Sequence, residues 1–230
     1  MNAVIFYTTR EGHTRRIAEH VATKLRRHHI GADLYDVSAL RQPIDWSPYD
    51  WACVAASVDA GHHEREMIRF VKAHRAELEW LRAAFLSVTL SEAGAEDPKA
   101  TQERRAKSAA DAQRMIDVFV QETGWHSVHV LPVAGALAYS QYNVVKRAIM
   151  KRIARKAGAP TDTTRDYEFT DWAELDCFIS DALVAAELRP ETEVRPSILR
   201  ASPMRRPRRP EPSAGLRLRS AEMGHRQRSA

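Results

Sequence analysis

Three threonine hydroxyls and one glycine stand between an apolar run and a helical pattern near the start of the chain. The segment is Thr8-Thr9-Arg10-Glu11-Gly12-His13-Thr14, called the phosphate loop below. Its hydroxyls can donate to phosphate oxygens, and the amides of a helix N-terminus favour an anion. Gly12 permits a positive φ and close approach of the backbone to a ligand. The alternative is an ordinary turn in which Thr14 caps the helix.

Other phosphate-binding motifs are absent from this loop. It lacks the Gly-Lys-Ser/Thr ending of a Walker loop and the GxGxxG turn of dinucleotide-binding domains. Two further loops follow apolar runs, and ligands of parallel sheets bind at the carboxyl ends of strands. The candidate residues in these second and third loops are Ser57, Val58, Asp59, Ala60, Gly61, His62, Thr89, Leu90 and Ser91.

Strand-like runs alternate with helical patterns, which predicts βαβ units and a parallel sheet. The predicted strands are 3–8, 32–36, 51–58, 83–90 and 127–137, the last interrupted by Pro132. The predicted helices are 14–29, 63–80, 101–123, 142–157 and 171–187, and 91–99 is predicted as a loop. Right-handed crossovers then give a doubly wound α/β sheet with helices on both faces.

Five segments match, in order, the motifs of one enzyme family. They are I-F-Y-T-T-R-E-G-H-T at 5–14, A-A-S-V-D-A-G-H-H at 55–63, S-V-T-L at 87–90, A-G-A-L at 134–137 and T-D-T-T-R-D-Y-E-F-T-D-W at 161–172. In these segments the chain resembles the flavodoxin-like, menaquinone-dependent protoporphyrinogen oxidases of bacterial haem synthesis. The resemblance covers about residues 3–185 and implies a five-stranded sheet of order 2-1-3-4-5.

The resemblance also implies a cofactor and a reaction. One FMN would bind noncovalently, with its phosphate in the phosphate loop and its isoalloxazine ring held by the second and third loops. Protoporphyrinogen IX would be oxidised to protoporphyrin IX in three two-electron steps. The electrons would pass through FMN to a membrane quinone, menaquinone or ubiquinone. Because the flavin supplies the redox chemistry, no catalytic side chain is assigned.

The chain departs from this family at three places. Asp59-Ala60 stands where the family has an Arg-Tyr pair, and the stretch from Glu92 to Asp97 is acidic where the family is basic. Only Tyr139 and Tyr142 remain of an aromatic, arginine-rich segment. Ala60 cannot stack on a flavin, and an acid near a flavin lowers its reduction potential. The two propionates of a porphyrinogen would also meet fewer arginines.

Two other function classes are compatible with these patterns. One is a flavodoxin-like electron carrier or FMN-dependent quinone reductase with a different redox partner. Such carriers are usually strongly acidic, whereas residues 1–188 have a net charge of only −2. The other is a binding module without redox chemistry, and the hydroxyl-rich phosphate loop argues against it.

The C-terminal part of the chain is strongly basic. Residues 189–230 contain eleven arginines and four acidic residues, a net charge of +7, and are rich in proline. Such a segment buries too little apolar surface to fold, so we predict a disordered tail after a domain at 1–188. The helix 142–157 has an apolar side, predicted to pack on the sheet, and a basic side. The basic side could contact an anionic membrane surface or be a solvated face. The tail could bind anionic lipid or nucleic acid, or remain solvated without a specific partner.

Several site types are not indicated by the sequence. Cys53 and Cys177 are far apart, which predicts neither a disulfide nor a zinc ribbon. His62-His63-Glu64 has no third metal ligand at zinc spacing and is predicted to be exposed at a helix start. The scattered tryptophans do not form a nucleic-acid-binding platform.

No apolar stretch approaches the roughly 20 residues of a membrane span. We predict a cytoplasmic protein, peripheral on the inner face of the membrane.

Overall fold

The computed structural model describes residues 1–157 and 161–187. The strands are β1 Asn2–Thr8, β2 Gly31–Asp36, β3 Trp51–Asp59, β4 His62–His63, β5 Ala84–Thr89, β6 Val130–Ala134, β7 Ala136–Leu137 and β8 Tyr167–Glu168. The helices are α1 His13–Arg27, α2 Arg65–Ala73, α3 Arg75–Trp80, α4 Leu90–Ala95, α5 Gln102–Thr123, α6 Val144–Ala157 and α7 Trp172–Glu187. Single 3-10 turns cover Val37–Ala39 and Tyr139–Gln141.

The main sheet has the predicted strand order. Five strands pair in parallel in the order β2-β1-β3-β5-β6. Since β5 and β6 are the fourth and fifth predicted strands, the order 2-1-3-4-5 is confirmed. Pro132 lies inside β6 opposite Ser87 and does not interrupt it. Because β6 is an edge strand, the missing amide of Pro132 can face away from the ladder.

Both faces of the sheet are covered, which explains why β1, β3 and β5 are continuous apolar runs. One core contains residues of α1 and α7, among them Ile17, Val21 and Ile179. The core on the opposite face contains residues of α2, α3 and α5, among them Met67 and Phe119. A small third core joins the segment after β7 to α6 through Leu137, Tyr139, Tyr142 and Ala154.

The predicted helix 63–80 is wrong at both its start and its middle. His62 and His63 instead form β4, which pairs antiparallel with the end of β3. The helix begins at Arg65 and is divided at His74, whose backbone leaves the helical region at φ −119° and ψ 26°. The His74 ring packs there on Trp46 and Phe70, with ring centroids 5.2 and 4.8 Å apart.

The prediction that 91–99 is a loop is also wrong in its first half. Helix α4 begins at Leu90 and is capped by Thr89, whose Oγ1 accepts from the backbone N–H of Ser91 at 3.1 Å. Because α4 contains polar residues and Gly94, its sequence does not show the apolar periodicity that is typical of a helix. Gly94 packs so closely on α5 that a Cβ there would lie 2.7 Å from Ser108 Oγ. Packing on α5 therefore compensates for the low helix propensity of glycine.

Helix α6 presents its apolar side to solvent, contrary to the prediction that this side packs on the sheet. Val144, Val145 and Ile149 are 82%, 69% and 55% exposed. The helix packs instead through Ala154 and Met150 on the small third core. The sequence pattern identified the apolar side correctly but not the surface that α6 contacts.

The predicted tail, residues 189–230, lies outside the described residues. Within the described ranges, no helix is both long enough and apolar enough to cross a bilayer.

Candidate functional site

The phosphate loop joins β1 to α1 without a side-chain cap. Gly12 is the N-cap residue, with φ 82°, and no side chain caps the helix. Thr14 lies inside the first turn, so the alternative in which Thr14 caps α1 is wrong. The backbone amide of Arg16 donates to the Gly12 carbonyl at 3.1 Å, which is the bond that opens α1. The amides before it have no acceptor inside the helix and are suited to an anion.

The side chains of this loop include polar atoms that lack partners. Thr8 Oγ1 and His13 Nδ1 are buried and have no hydrogen-bond partner among the residues that the structure describes. Thr9 Oγ1 accepts the amide proton of Gly12 at 3.0 Å, which leaves the hydroxyl proton of Thr9 free to donate. Buried polar groups are almost always hydrogen-bonded, so these atoms indicate a ligand or ordered water.

The second loop is a tight hairpin turn. Asp59 and His62 are paired across β3 and β4, and the two residues between them have positive φ, 50° at Ala60 and 85° at Gly61. Two consecutive positive φ angles are typical of a type I′ turn. The turn places its tip in solvent, since Ala60, Gly61 and His62 are all exposed.

An ionic cluster joins the phosphate loop to the second loop. Arg10 Nη1 lies 3.1 Å from Asp59 Oδ2, and Arg10 Nε lies 3.7 Å from Glu64 Oε1. Ser57 Oγ donates to the same Glu64 oxygen at 2.5 Å. Arg10 therefore compensates the negative charge of Asp59.

Glu64 and His63 are buried, contrary to the prediction that the segment His62–Glu64 is exposed. Glu64 is 6% exposed, and burial raises the pKa of its carboxyl, although Ser57 and Arg10 oppose the rise. His63 is 3% exposed because β4 turns its side chain inward against Phe119. Within the described part of the chain, no three potential metal-binding side chains cluster.

The third loop is held against the chain after β6. The Gly135 amide donates to the Thr89 carbonyl at 3.0 Å, and a Cβ on Gly135 would lie 3.4 Å from the Thr89 carbonyl carbon. A side chain at position 135 would therefore begin in van der Waals contact with the backbone of the third loop. Gly135 belongs to the A-G-A-L segment but was not predicted as a site residue.

One cleft is lined by residues of all three loops. Of the residues predicted from the sequence, it is lined by Thr9, Arg10, Glu11, His13, Thr14, Ser57, Val58, Asp59, Thr89 and Leu90. The predicted residues that do not line it are Thr8, Gly12, Ala60, Gly61, His62 and Ser91. Thr8 is buried beneath the loop, and the hairpin tip extends away from the cleft. Glu92 and Glu96 of α4 are also absent from the lining.

The cleft has a wall that sequence reasoning missed. The further lining residues are Glu64, Val88, Gly135, Ala136, Tyr142 and Met150. Met150 comes from α6, and Tyr142 from the turn before it. Arg147 fixes this turn, since its Nε donates to the Tyr139 carbonyl at 3.1 Å and its Nη2 to the Tyr142 carbonyl at 3.2 Å. Tyr139 and Tyr142 were both noted in the sequence, but nothing there indicated that Tyr142 lines the cleft.

The amino-acid sequence matches one family model and several proteins of known name. A family model described as a flavodoxin domain matches residues 4–164. Protoporphyrinogen IX dehydrogenase (quinone) of Escherichia coli strain K12 is 32% identical over 175 residues, 76% of this chain and 91% of that protein. The Leishmania major protein of the same name is 29% identical over 179 residues, 77% of this chain and 73% of that protein.

A solved structure, oxidised flavodoxin 1 from Bacillus cereus, aligns with 83% of this chain and 100% of its own at 12% identity and a TM-score of 0.40. These values are too low to add to the assignment, which rests on the family model and the curated relatives.

Flavodoxin-like sheets bind flavin where the strand order reverses, between β1 and β3. The phosphate loop and the second loop lie at that position. The chain belongs to the flavodoxin-domain family and, within it, to the protoporphyrinogen IX dehydrogenase (quinone) family.

Proposed function

We propose that this chain is an FMN-dependent protoporphyrinogen IX dehydrogenase that passes electrons to a quinone. The observation that supports this best is the cleft, which joins an uncapped, hydroxyl-bearing phosphate loop to two further loops at the carboxyl edge of the sheet. The proposed substrate is inferred from the two curated relatives, both named protoporphyrinogen IX dehydrogenase (quinone), which align with this chain along most of their length.

FMN is favoured over riboflavin by the chemistry of the phosphate loop. FMN ends in a phosphate, which binds well to free helix amides and hydroxyl donors. Thr9 and Thr14 supply hydroxyls at the cleft, and the α1 amides supply N–H groups. Arg10 adds a positive charge, although Asp59 and Glu64 compete for it. The site therefore fits a phosphate bound mainly by dipoles and hydroxyls.

When bound, FMN would supply the two-electron redox chemistry, used three times for each protoporphyrinogen. The chain's own residues bind and enclose the cofactor. Arg10 holds the phosphate loop to the second loop through Asp59, and Tyr142 and Met150 form the opposite wall. Burial raises the pKa of Tyr142 to about 12, so its phenol stays protonated at neutral pH.

The charges of the cleft indicate how a porphyrinogen would lie. Glu11, Asp59 and Glu64 line the cleft together with Arg10, which makes its interior unfavourable for propionates. We infer that the substrate presents its apolar tetrapyrrole to the cleft and keeps both propionates toward solvent. This arrangement does not need the arginine that stands in the second loop of the family that the chain resembles.

We further propose that α6 is the membrane-facing surface through which electrons reach a lipid quinone. Its inner side contributes Met150 to the cleft, while Val144, Val145 and Ile149 point outward with Arg152 also exposed. An apolar strip beside basic residues suits the interface of an anionic bilayer. The helix would therefore lie between the cleft and the lipid.

Vesicle experiments with the full chain test the role of α6. The double variant Val145→Asp, Ile149→Asp should bind anionic phospholipid vesicles less well than wild type and should reduce vesicle-embedded quinone more slowly. Its rate with a soluble quinone should be unchanged. Val128→Asp is the matched control, because Val128 is 72% exposed elsewhere on the molecule. Equal loss in the control, or no loss with embedded quinone in the double variant, would contradict the proposal.

An anaerobic assay distinguishes the dehydrogenase from an electron carrier or a general quinone reductase. FMN-loaded protein is mixed with protoporphyrinogen IX, with and without a soluble quinone, and protoporphyrin fluorescence is followed. A dehydrogenase gives sustained fluorescence only with the quinone. A carrier or general reductase gives no rate above the protein-free background, and that result would exclude the proposed substrate.

A further inference from the structure

The imidazole of His13, in the phosphate loop, is buried although one of its ring nitrogens has no hydrogen-bond partner among the described residues. It is 9% exposed, it lines the cleft, and one of its two ring nitrogens lacks a partner. The other nitrogen, Nε2, lies 2.8 Å from Thr170 Oγ1. This contact fixes the orientation of the ring, because a flipped ring would put a carbon instead of Nε2 beside the Thr170 hydroxyl.

The hydrogen bonds of Thr170 determine which nitrogen of His13 is protonated. Thr170 Oγ1 donates to the Ala134 carbonyl at 2.7 Å. A hydroxyl has one proton, so Thr170 Oγ1 must accept its other bond from His13 Nε2–H. A neutral His13 therefore has no proton on Nδ1, which is an acceptor. This acceptor is buried and has no donor among the described residues.

Burial of the His13 ring, rather than its charged neighbours, disfavours the protonated form. Burial is the largest influence and lowers the pKa of His13. Glu168 raises this pKa and Arg16 lowers it, and these two side chains are paired with each other at 2.5 Å. The neutral imidazole with a free Nδ1 lone pair is thus the form present at neutral pH. A buried lone pair without a donor is costly, so the ligand of the cleft should supply one.

Resting on the proposed function, we propose that His13 Nδ1 accepts a hydrogen bond from a ribityl hydroxyl of FMN and so positions the cofactor. FMN has two kinds of neutral donor, the ribityl hydroxyls and the ring N3–H. The ribityl chain is the part attached directly to the phosphate, and His13 lies between Gly12 and Thr14 in the phosphate loop. A ribityl hydroxyl is therefore the donor within reach of this position. His13 is a positioning residue for the cofactor.

Binding of FMN and of an analogue with a phosphopentyl chain in place of phosphoribityl tests this assignment. The analogue keeps the ring and the phosphate but has no chain hydroxyls. Affinities are measured by flavin fluorescence quenching on the full-length apoprotein. Wild type should prefer FMN, and His13→Leu should weaken FMN by about three- to tenfold while changing the affinity for the analogue much less. His13→Gln, whose amide oxygen can accept, should retain part of the preference.

Two further variants keep the test decisive. His20→Leu changes a histidine on the same helix that does not line the cleft, and it should leave both affinities unchanged. Thr170→Val removes the group that orients the ring and should reduce the preference for FMN, even if His13→Leu folds poorly. An equal ratio of the two affinities in wild type, His13→Leu and Thr170→Val would overturn the assignment. Failure of wild type to bind FMN at all would instead overturn the proposed function.

Discussion

The residues of the phosphate loop divide into those that hold the loop and those that are left for a ligand. Thr9 Oγ1 accepts from the Gly12 amide, while Thr8 Oγ1 and His13 Nδ1 remain without partners among the described residues. The residue types and their spacing predicted a phosphate site here. The ion pair between Arg10 and Asp59 was not predictable, because the two residues are distant in sequence and meet only when β1 and β3 are neighbours.

Removing the hydroxyls of the phosphate loop should weaken FMN. In the double variant Thr9→Ala, Thr14→Ala, each change removes a hydroxyl–phosphate contact of about 1.5–3 kcal/mol, so the dissociation constant should rise at least about a hundredfold. Thr23→Ala is the control, since Thr23 lies exposed on the same helix. Fluorescence titration measures all three proteins. Equal affinities in the double variant and the control would place the phosphate elsewhere.

His63 should make the fold sensitive to acid. Its Nε2 lies 3.0 Å from Ser87 Oγ and its ring packs on Phe119, and burial lowers its pKa to about 4. The unfolded chain has an ordinary histidine pKa near 6.5 and binds the proton first as pH falls. The free energy of unfolding should therefore be complete above about pH 6.5 and fall by up to about 3 kcal/mol toward pH 4.

Denaturant unfolding of wild type and His63→Gln between pH 4 and 7.5 checks this prediction. The amide can keep the bond to Ser87 but does not titrate. Because all other titrating groups are shared, the difference between the two curves isolates His63. That difference should change with pH only below about 6.5. Parallel curves over the whole range would show that His63 does not cause acid sensitivity.

Elements with strong patterns were predictable, and those fixed by tertiary contacts were not. The apolar runs of β1, β3 and β5 and the period of α1 and α5 gave their positions to within a few residues. The two-residue strand β4 is too short for a pattern, and α4 is polar. The wall of the cleft at Tyr142 and Met150 was missed because it depends on where α6 packs. The apolar side of α6 was recognised but assigned to the wrong surface.

The hairpin turn of the second loop should be strained at Ala60. Its φ of 50° costs a non-glycine residue about 1–2 kcal/mol, and glycine costs about 0.5–1 kcal/mol in chain entropy. Ala60→Gly should therefore raise the free energy of unfolding by about 0.5–1 kcal/mol. His29→Gly is a matched variant, since His29 has φ 60° after α1. Stabilisation by His29→Gly without any by Ala60→Gly would contradict the turn geometry.

At the scale of the whole molecule, the cleft lies where the sheet topology predicts a ligand site. One of its walls comes from outside the main sheet, from Tyr142 and α6. The sheet between two helical layers fixes the three loops at the carboxyl ends of β1, β3 and β5. The small third core then brings Tyr142 and α6 against the same cleft. The proposed cofactor site follows from the fold, whereas the proposed approach of substrate and acceptor depends on this added wall and its exposed outer side.

We propose that FMN bound in this cleft oxidises protoporphyrinogen IX. The most direct measurement is anaerobic protoporphyrin fluorescence with a soluble quinone, using apoprotein before and after addition of FMN, with Thr9→Ala, Thr14→Ala beside wild type. We expect no rate for the apoprotein, a restored rate for wild type at stoichiometric FMN, and a rate for the double variant only at higher FMN. Equal rates with and without FMN, or no rate under any condition, would show that FMN in this cleft does not carry out the oxidation.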